Sequence, residues 1–243
     1  MKVTVVEDEQ GFAKEAAEVV ATHAERAIAA RGKFVLALTG GSSPIPLHRA
    51  LAEPPFKERI DWTKVYVVFG DERAVAPDAK DSNYRSAHDT LLANVPIPDG
   101  QVLRMLAERP DLAAAARDYE RRLVQLCEAR VDLICVGIGE DAHIFSLYPG
   151  SPAIDESQAL VVAEIDPPMK PALSRITFTP RMLDRAGAVL VLATGEKKKS
   201  ALLHALESAD QPHRFPAHLL RRATDRTFVV DRAAASGLTR TLA

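Results

Sequence analysis

Two carboxylates and an imidazole follow an almost unbroken apolar stretch of this sequence. Residues 131–138 read VDLICVGI, and Glu140, Asp141 and His143 come directly afterwards, around Gly139. An imidazole changes charge near neutral pH and a neighbouring carboxylate can orient it, so this cluster suits general acid–base catalysis. A lone histidine is more often structural, but a histidine beside an aspartate at a glycine-broken strand end favours a functional role.

A second segment suits an anionic ligand. The sequence Gly40-Gly41-Ser42-Ser43 follows another apolar run and precedes Pro44. The glycines let the backbone approach a ligand closely, Ser43 is a candidate N-cap, and proline suits the first helical position, so free N–H groups would face a phosphate. An ordinary strand-to-helix turn without a ligand explains these residues equally well when they are taken alone.

Charged residues follow two more apolar runs. The sequence Asp-Glu-Arg stands at 71–73, and three lysines at 197–199 precede a predicted helix. Lysines in the first turn of a helix oppose its positive dipole end, and an anionic ligand would compensate for one of them. The alternative for both segments is simple solvation, since most charge runs on a protein surface have no further role.

Alternating strand and helix patterns place all four polar segments at strand ends. Strands are predicted at residues 2–6, 34–38, 64–69, 102–105, 131–138, 160–165, 174–178, 188–193 and 227–230. Helices are predicted at 10–31, 44–52, 83–92, 111–130 and 200–207, with one helical turn at 144–148 and a short helix near the end. This order predicts an α/β fold, a Rossmann-like open sheet that is mostly parallel with helices on both faces. Because ligands bind outside the carboxyl ends of such strands, the polar segments should meet there.

The composition favours a small-metabolite protein. With 243 residues, 47% hydrophobic, the chain can bury a full core, and we expect one α/β domain over residues 1–243. A net charge of −2 gives no attraction to nucleic acid or to an anionic membrane. No apolar run approaches the roughly 20 residues that span a bilayer, so we expect a cytoplasmic protein. Cys127 and Cys135 suit packing, no metal-ligand spacing is present, and no cofactor is predicted.

Several longer motifs resemble one known family. They are LALTGGSSPIPLHRAL (36–51), FGDERAVAPDAKDSNYRSAHDTLL (69–92), DLICVGIGEDAHIFSLYPG (132–150), SRITFTPRML (174–183) and the spacing from Gly195 to Lys198. They are spread along the sequence, and the resemblance extends over nearly the whole chain. They make it similar to the 6-phosphogluconolactonases, within a fold group that includes glucosamine-6-phosphate deaminase and ribose-5-phosphate isomerase.

The resemblance implies hydrolysis of 6-phospho-D-glucono-1,5-lactone to 6-phosphogluconate in the oxidative pentose phosphate pathway, without metal or organic cofactor. His143 matches the family's catalytic histidine, which would take a proton from water and return it to the ring oxygen. Asp141 would orient the imidazole or bind substrate hydroxyls. Arg73 would bind the phosphate or steady the oxyanion, and the sequence leaves both roles open.

The resemblance also implies a site for the sugar phosphate. Arg175 and Lys198 match family positions that hold it, and Asp71 belongs to the same substrate site. The amides of the glycine-serine segment complete the anion site. The expected partner is therefore a phosphorylated sugar lactone, and the protein is expected to be a monomer or a small homo-oligomer.

One position departs from the family pattern. The family usually has glycine between the aspartate and the histidine, whereas this chain has Ala142. We predict that Ala142 has negative φ, with Gly139 absorbing any unusual turn. A left-handed alanine would instead be strained by roughly 1–2 kcal/mol, and replacement by glycine would then stabilise the protein.

Two other functions are compatible with much of this pattern. A sugar-phosphate isomerase or deaminase on the same fold would be expected to carry Asn-Glu-Pro after its histidine, where this chain has Ser146-Leu147-Tyr148-Pro149. A non-catalytic sugar-phosphate sensor would keep the phosphate contacts but would not need His143.

Overall fold

The computed structural model describes residues 1–165, 167–168 and 172–239. Its strands are β1 (Lys2–Val6), β2 (Phe34–Leu38), β3 (Val65–Phe69), β4 (Asp71–Arg73), β5 (Val131–Gly137), β6 (Val161–Glu164), β7 (Arg175–Phe178), β8 (Ala186–Ala193) and β9 (Arg226–Asp231). Its helices are α1 (Glu9–Arg31), α2 (Pro44–Leu51), α3 (Phe56–Arg59), α4 (Asn83–Thr90), α5 (Leu112–Cys127), α6 (Pro180–Leu183), α7 (Lys199–Glu207) and α8 (Arg232–Ala235).

Six strands form a parallel sheet in the order β1, β9, β8, β5, β2, β3. β5 lies in the middle of this sheet, between β8 and β2. All of β2 and the last six residues of β8 are buried, as expected for parallel strands covered on both faces. The prediction of an open, mostly parallel sheet with helices is confirmed.

Local signals in the sequence determine several helix ends. α1 ends at Gly32, whose φ of 72° is left-handed, and α4 begins after Ser82, whose side chain accepts a hydrogen bond from Arg85 N–H. Both ends are as predicted. The end of α5 is less favourable in energy, because the left-handed position with φ 53° is occupied by Glu128 and not by a glycine. None of the described helices is long and apolar enough to span a membrane.

A second sheet, antiparallel and in the order β4, β7, β6, is not apparent from the sequence. β4 consists of the three charged residues 71–73, which read in the sequence as the end of β3. The alternating pattern of β7 predicts a half-buried strand, but all four of its residues are buried. The reason is that β4 and β6 pair with both of its edges and α5 packs against it.

Two further sequence predictions are wrong. Residues 102–105 form no strand, because a 3₁₀ turn before them and another turn after them leave Val102 only one bridge, to Val67. Residues 144–148 form no helical turn, since Phe145 has φ 52° and Ile144 pairs back on the chain near the end of β5. Most of the loop predicted from Asp166 to Pro171 lies outside the described residues.

Candidate active site

One cavity of about 510 Å³ lies at the carboxyl ends of β2 and β5, beside β4. All four polar segments that the sequence places at strand ends contribute to its wall. Within the described residues, no cluster of three or more histidine, cysteine, aspartate or glutamate side chains could hold a metal ion. The cavity is lined by Thr39, Gly40, Gly41, Ser42, Ser43, Asp71, Arg73, Gly137, Ile138, Gly139, Glu140, Asp141, His143, Phe145, Arg175 and Lys198.

The imidazole of His143 is held by the carboxylate two residues before it. Its Nδ1 lies 2.6 Å from Asp141 Oδ1, and the same oxygen accepts a hydrogen bond from the backbone N–H of His143 at 3.2 Å. Burial raises the pKa of Asp141, but the hydrogen bonds and charge of His143 bring that pKa below its ordinary value. With Nδ1 donating to Asp141, Nε2 carries the lone pair, and Nε2 has no partner among the described residues. The pair has the arrangement of an oriented general base.

Gly139 leaves the space that the His143 and Asp141 side chains occupy. A Cβ on Gly139 would lie 2.1 Å from Nδ1 of His143 and 2.6 Å from Oδ1 of Asp141. Two backbone hydrogen bonds close the loop: Gly139 N–H donates to the His143 carbonyl at 2.8 Å, and Ala142 N–H donates to the Gly139 carbonyl at 3.1 Å. Any larger residue at position 139 would therefore displace the imidazole.

The prediction that Ala142 has negative φ is wrong. Its φ is 67°, and Gly139 is not among the left-handed residues. Ala142 takes the left-handed conformation because the two backbone hydrogen bonds of the loop bring residue 143 back over residue 139. Tertiary contacts hold this conformation: the Ala142 carbonyl accepts a hydrogen bond from Ala217 N–H at 2.8 Å, and the alanine is only 1% exposed.

Two arginines face each other across the small sheet. Arg73 of β4 is paired directly with Arg175 of β7, and both line the cavity. Opposed residues of an antiparallel pair project to the same face, where like charges are destabilising. Burial also lowers the pKa of the Arg175 guanidinium, so this cation is held at a cost in hydration. An anion bound at this place would compensate for both effects.

The guanidinium of Arg73 is anchored through one of its terminal nitrogens. Its Nη1 donates a hydrogen bond to the Asp81 carbonyl at 2.6 Å. Its Nε is buried and has no hydrogen-bond partner in the part of the chain that the structure describes. A buried N–H group usually finds an acceptor, so Arg73 retains a donor for a ligand oxygen.

The carboxylate of Asp71 is engaged by protein donors. Asp71 is 4% exposed, its Oδ1 accepts a hydrogen bond from Asn83 Nδ2 at 3.1 Å, and its Oδ2 accepts one from Ser146 Oγ at 2.8 Å. Asp71 therefore links β4 to α4 and to the segment that follows His143. A direct contact between Asp71 and substrate stays a prediction.

The glycine-serine segment borders the cavity, but two of its residues have unpredicted roles. Gly41 is left-handed with φ 88°, whereas a Cβ on Gly40 would lie 1.8 Å from Asn83 Oδ1, so Gly40 makes room for protein. Ser43 stands at the N-cap position of α2 as predicted, but its side chain makes no capping hydrogen bond, because its backbone is already helical and its hydroxyl lies 3.4 Å from Thr194 Oγ1. The four amides of the segment donate no hydrogen bond to the described residues, which leaves them for an anion.

Of the three consecutive lysines, Lys198 is the one that lines the cavity. Lys197 is 82% exposed and forms a 3.8 Å ion pair with Glu140. Burial lowers the pKa of the Lys198 ammonium, and the nearby Glu140 and Asp141 carboxylates oppose that shift only in part. The chain thus holds a partly desolvated cation beside the candidate base.

The sequence reasoning missed Asn83, Phe145 and Tyr148 as site residues. Phe145 lines the cavity, and the Tyr148 ring contacts His143 with ring centroids 4.8 Å apart. A signal existed for Asn83, which begins α4 a few residues after β4 and whose amide can bond two acceptors. The two aromatic residues read as ordinary core, because hydrophobic patterns do not show which neighbours a buried ring meets.

The chain matches a family model described as glucosamine-6-phosphate isomerases/6-phosphogluconolactonase over residues 7–229. It belongs to this family. The family assignment drawn from the motifs is confirmed.

Individual family members match over most of their length. A 6-phosphogluconolactonase from Synechocystis is 32% identical over 243 residues, covering 98% of each chain. A probable chloroplastic 6-phosphogluconolactonase from Oryza sativa subsp. indica is 37% identical over 217 residues, covering 84% of this chain and 66% of that relative. The crystal structure of a 6-phosphogluconolactonase from Thermotoga maritima has a TM-score of 0.82 at 28% identity, covering 95% of this chain and 98% of that one.

We expect Ala142→Gly to change the free energy of unfolding by less than about 1 kcal/mol. Relief of left-handed strain contributes about 1–2 kcal/mol, whereas glycine adds unfolded-chain entropy of about 0.5–1 kcal/mol and the loss of a buried methyl costs about 0.8 kcal/mol. The stabilisation predicted from strain alone is therefore largely offset by the added chain entropy and the lost burial together. Urea unfolding of the variant and the parent protein measures the difference.

Glu128→Gly is the matched control. Glu128 has φ 53° at the end of α5, but its side chain is exposed, so no burial is lost. We expect this variant to gain about 0.5–1 kcal/mol. An equally large gain for Ala142→Gly would show that the alanine methyl contributes little to stability.

Proposed function

We propose that this protein hydrolyses 6-phospho-D-glucono-1,5-lactone to 6-phosphogluconate, in the oxidative pentose phosphate pathway. The observation that carries the proposal is a single cavity that combines the His143/Asp141 pair with Arg73, Arg175 and Lys198. Hydrolysis of a phosphorylated lactone needs a base for water and positive charge for the phosphate. The names of the relatives in Synechocystis and Thermotoga maritima support the same reaction.

His143 is the general base in the proposed reaction. Its Nε2 takes a proton from water as the water oxygen bonds to the lactone carbonyl carbon and the carbonyl electrons move to oxygen. When the tetrahedral intermediate collapses, the bond from that carbon to the ring oxygen breaks and Nε2 returns the proton to the ring oxygen. Asp141 stabilises the imidazolium that exists between the two transfers.

The cations serve the phosphate and the oxyanion. Arg175, Lys198 and the amides of residues 40–43 bind the phosphate, because a dianion needs more positive potential than any one of these groups supplies. Arg73 either joins them or stabilises the oxyanion, and its unpartnered Nε supports both uses. No covalent nucleophile is required, since a lactone carbonyl is already electrophilic and Ser146 is fully buried against Asp71.

The main alternative is a sugar-phosphate isomerase or deaminase on the same fold. Such an enzyme needs a carboxylate after the histidine for ring opening, and the sequence Ser146-Leu147-Tyr148-Pro149 supplies none. A non-catalytic sensor would have no use for an imidazole oriented by a carboxylate. Product analysis separates the three functions, because only the lactonase forms 6-phosphogluconate.

The substrate is a small phosphorylated lactone, the reaction needs no metal, and the protein acts in the cytoplasm as a monomer or small homo-oligomer. The net charge of −2 supports the absence of nucleic-acid and membrane partners.

His143→Asn tests the base. We expect kcat to fall by a factor on the order of 10²–10⁴, because asparagine fills similar space but takes no proton. Wild-type kcat should also fall as acid protonates the imidazole, and this acid limb should vanish in the variant. The measurement is a coupled assay of 6-phosphogluconate formation from freshly generated lactone, corrected for spontaneous hydrolysis.

His213→Asn is the control for this substitution. His213 is exposed and does not line the cavity, so its kcat and pH profile should match those of the parent protein. Near-parental turnover in His143→Asn would identify another residue as the base and leave His143 a role in loop shape.

Lys198 should make product binding weaken as pH rises. Burial lowers its pKa, so the free protein loses this charge at lower pH than an ordinary lysine, which titrates near about 10.4. The Kd of 6-phosphogluconate should therefore increase with pH, and Lys198→Arg should remove this dependence because arginine stays charged. Lys198→Ala should raise Kd by about 10- to 100-fold at neutral pH. Isothermal titration calorimetry between about pH 7 and 10 measures these changes.

Lys197→Ala is the matched control, since Lys197 is exposed and outside the cavity. Its Kd should stay within about twofold of the parent value. A Lys198→Ala variant with the same Kd as Lys197→Ala would rule out the phosphate role of Lys198.

A further inference from the structure

A buried tyrosine contacts both His143 and Arg175, although it does not itself line the cavity. Tyr148 is 1% exposed. Its ring centroid lies 4.8 Å from that of His143, with the ring planes at 51°, and 5.8 Å from Cζ of Arg175. One aromatic ring therefore contacts the proposed base and a cation of the proposed phosphate site.

We propose that Tyr148 is a positioning residue that holds His143 and Arg175 in their working orientations through its ring; this inference rests on the proposed function. The bond to Asp141 fixes one edge of the imidazole, and Gly139 only leaves room for it. Contact with the Tyr148 ring limits the remaining rotation about the Cβ–Cγ bond. A base must be held in this way, because small displacements of a catalytic group reduce the rate strongly.

The charges of Arg175 and His143 also favour contact with an aromatic ring. Arg175 is a permanent cation, and His143 becomes a cation each time it accepts a proton from water. A guanidinium within about 6 Å of a ring centroid is attracted by the negative ring face, and a protonated imidazole at the same range is attracted too. The ring of Tyr148 therefore stabilises Arg175 in the free protein and the imidazolium during turnover.

Both of these contacts are contacts of the ring. Tyr148→Phe should therefore keep the positioning effect, whereas Tyr148→Met fills a similar volume but removes the aromatic face. Phe34→Leu provides a control for loss of a buried ring, because Phe34 is fully buried at the amino end of β2, away from the cavity. Tyr148→Leu is a second aliphatic variant in case Tyr148→Met does not fold.

We expect Tyr148→Met to lower kcat by about 10- to 100-fold and to raise the Kd of 6-phosphogluconate by about 2- to 5-fold. Tyr148→Phe and Phe34→Leu should stay within about threefold of the parent protein in both quantities, measured per folded molecule. A purely structural role for Tyr148 would lower the amount of folded protein but leave kcat and Kd unchanged.

The inference is overturned if Tyr148→Met behaves like Phe34→Leu, or if Tyr148→Phe loses as much activity as Tyr148→Met. Imidazole ¹⁵N NMR of His143 supplies a readout that does not depend on the reaction. Its Nδ1-protonated tautomer should dominate in the parent protein and in Tyr148→Phe, and should be mixed with the other tautomer in Tyr148→Met. If the parent protein fails to hydrolyse the lactone, the proposed function is wrong, and the tautomer measurement still decides whether the ring orients His143.

Discussion

The position of His143 depends on the absence of a side chain at Gly139. The imidazole and the Asp141 carboxylate occupy the volume where a Cβ would otherwise stand, which allows the 2.6 Å contact between Nδ1 and Oδ1. To reach this place the chain must reverse immediately after β5. The reversal imposes a left-handed conformation on Ala142, and the hydrogen bond from Ala217 N–H and the burial of the alanine methyl hold it there. An energetically unfavourable backbone thus fixes the orientation of the imidazole against the Asp141 carboxylate.

A second constraint is the concentration of positive charge. The protein has a net charge of −2, yet two arginines are paired across β4 and β7 and a partly buried lysine lines the same cavity. Burial disfavours the charged forms of both Arg175 and Lys198, so their pKa values are lowered. Burial and like charge are both unfavourable to these cations, and a bound phosphate would offset both by supplying opposite charge.

The small antiparallel sheet connects these two constraints. Gly70 follows β3 and makes the last hydrogen bond between this part of the chain and β2, because its N–H donates to the Leu38 carbonyl. The carbonyl of Gly70 accepts a hydrogen bond from Phe178 N–H. The chain thereby leaves the large sheet and enters the small one, where β4 presents Asp71 and Arg73 to the cavity. A side chain at Gly70 would collide with the Phe145 ring, 2.7 Å away. The same crossing therefore accommodates the loop that carries His143 and brings the arginines together.

The sequence by itself determined the parts of this protein that depend on neighbouring residues. Buried apolar runs predicted β2, β5 and β8, and local capping signals at Gly32 and Ser82 predicted helix ends, since both depend on side-chain spacing within a few residues. The meeting of the polar segments followed from the rule that parallel strands share one carboxyl edge, which needs no knowledge of side-chain packing.

Only the tertiary structure decided the pairing of Arg73 with Arg175, the backbone angle of Ala142 and the neighbours of the Tyr148 ring. Each of these depends on contacts between residues that are distant along the chain, and hydrophobic periodicity carries no information about such partners. The residue types of the site were therefore readable in advance, whereas its geometry became visible only when the β4 and β7 strands and the loop after β5 had been packed together.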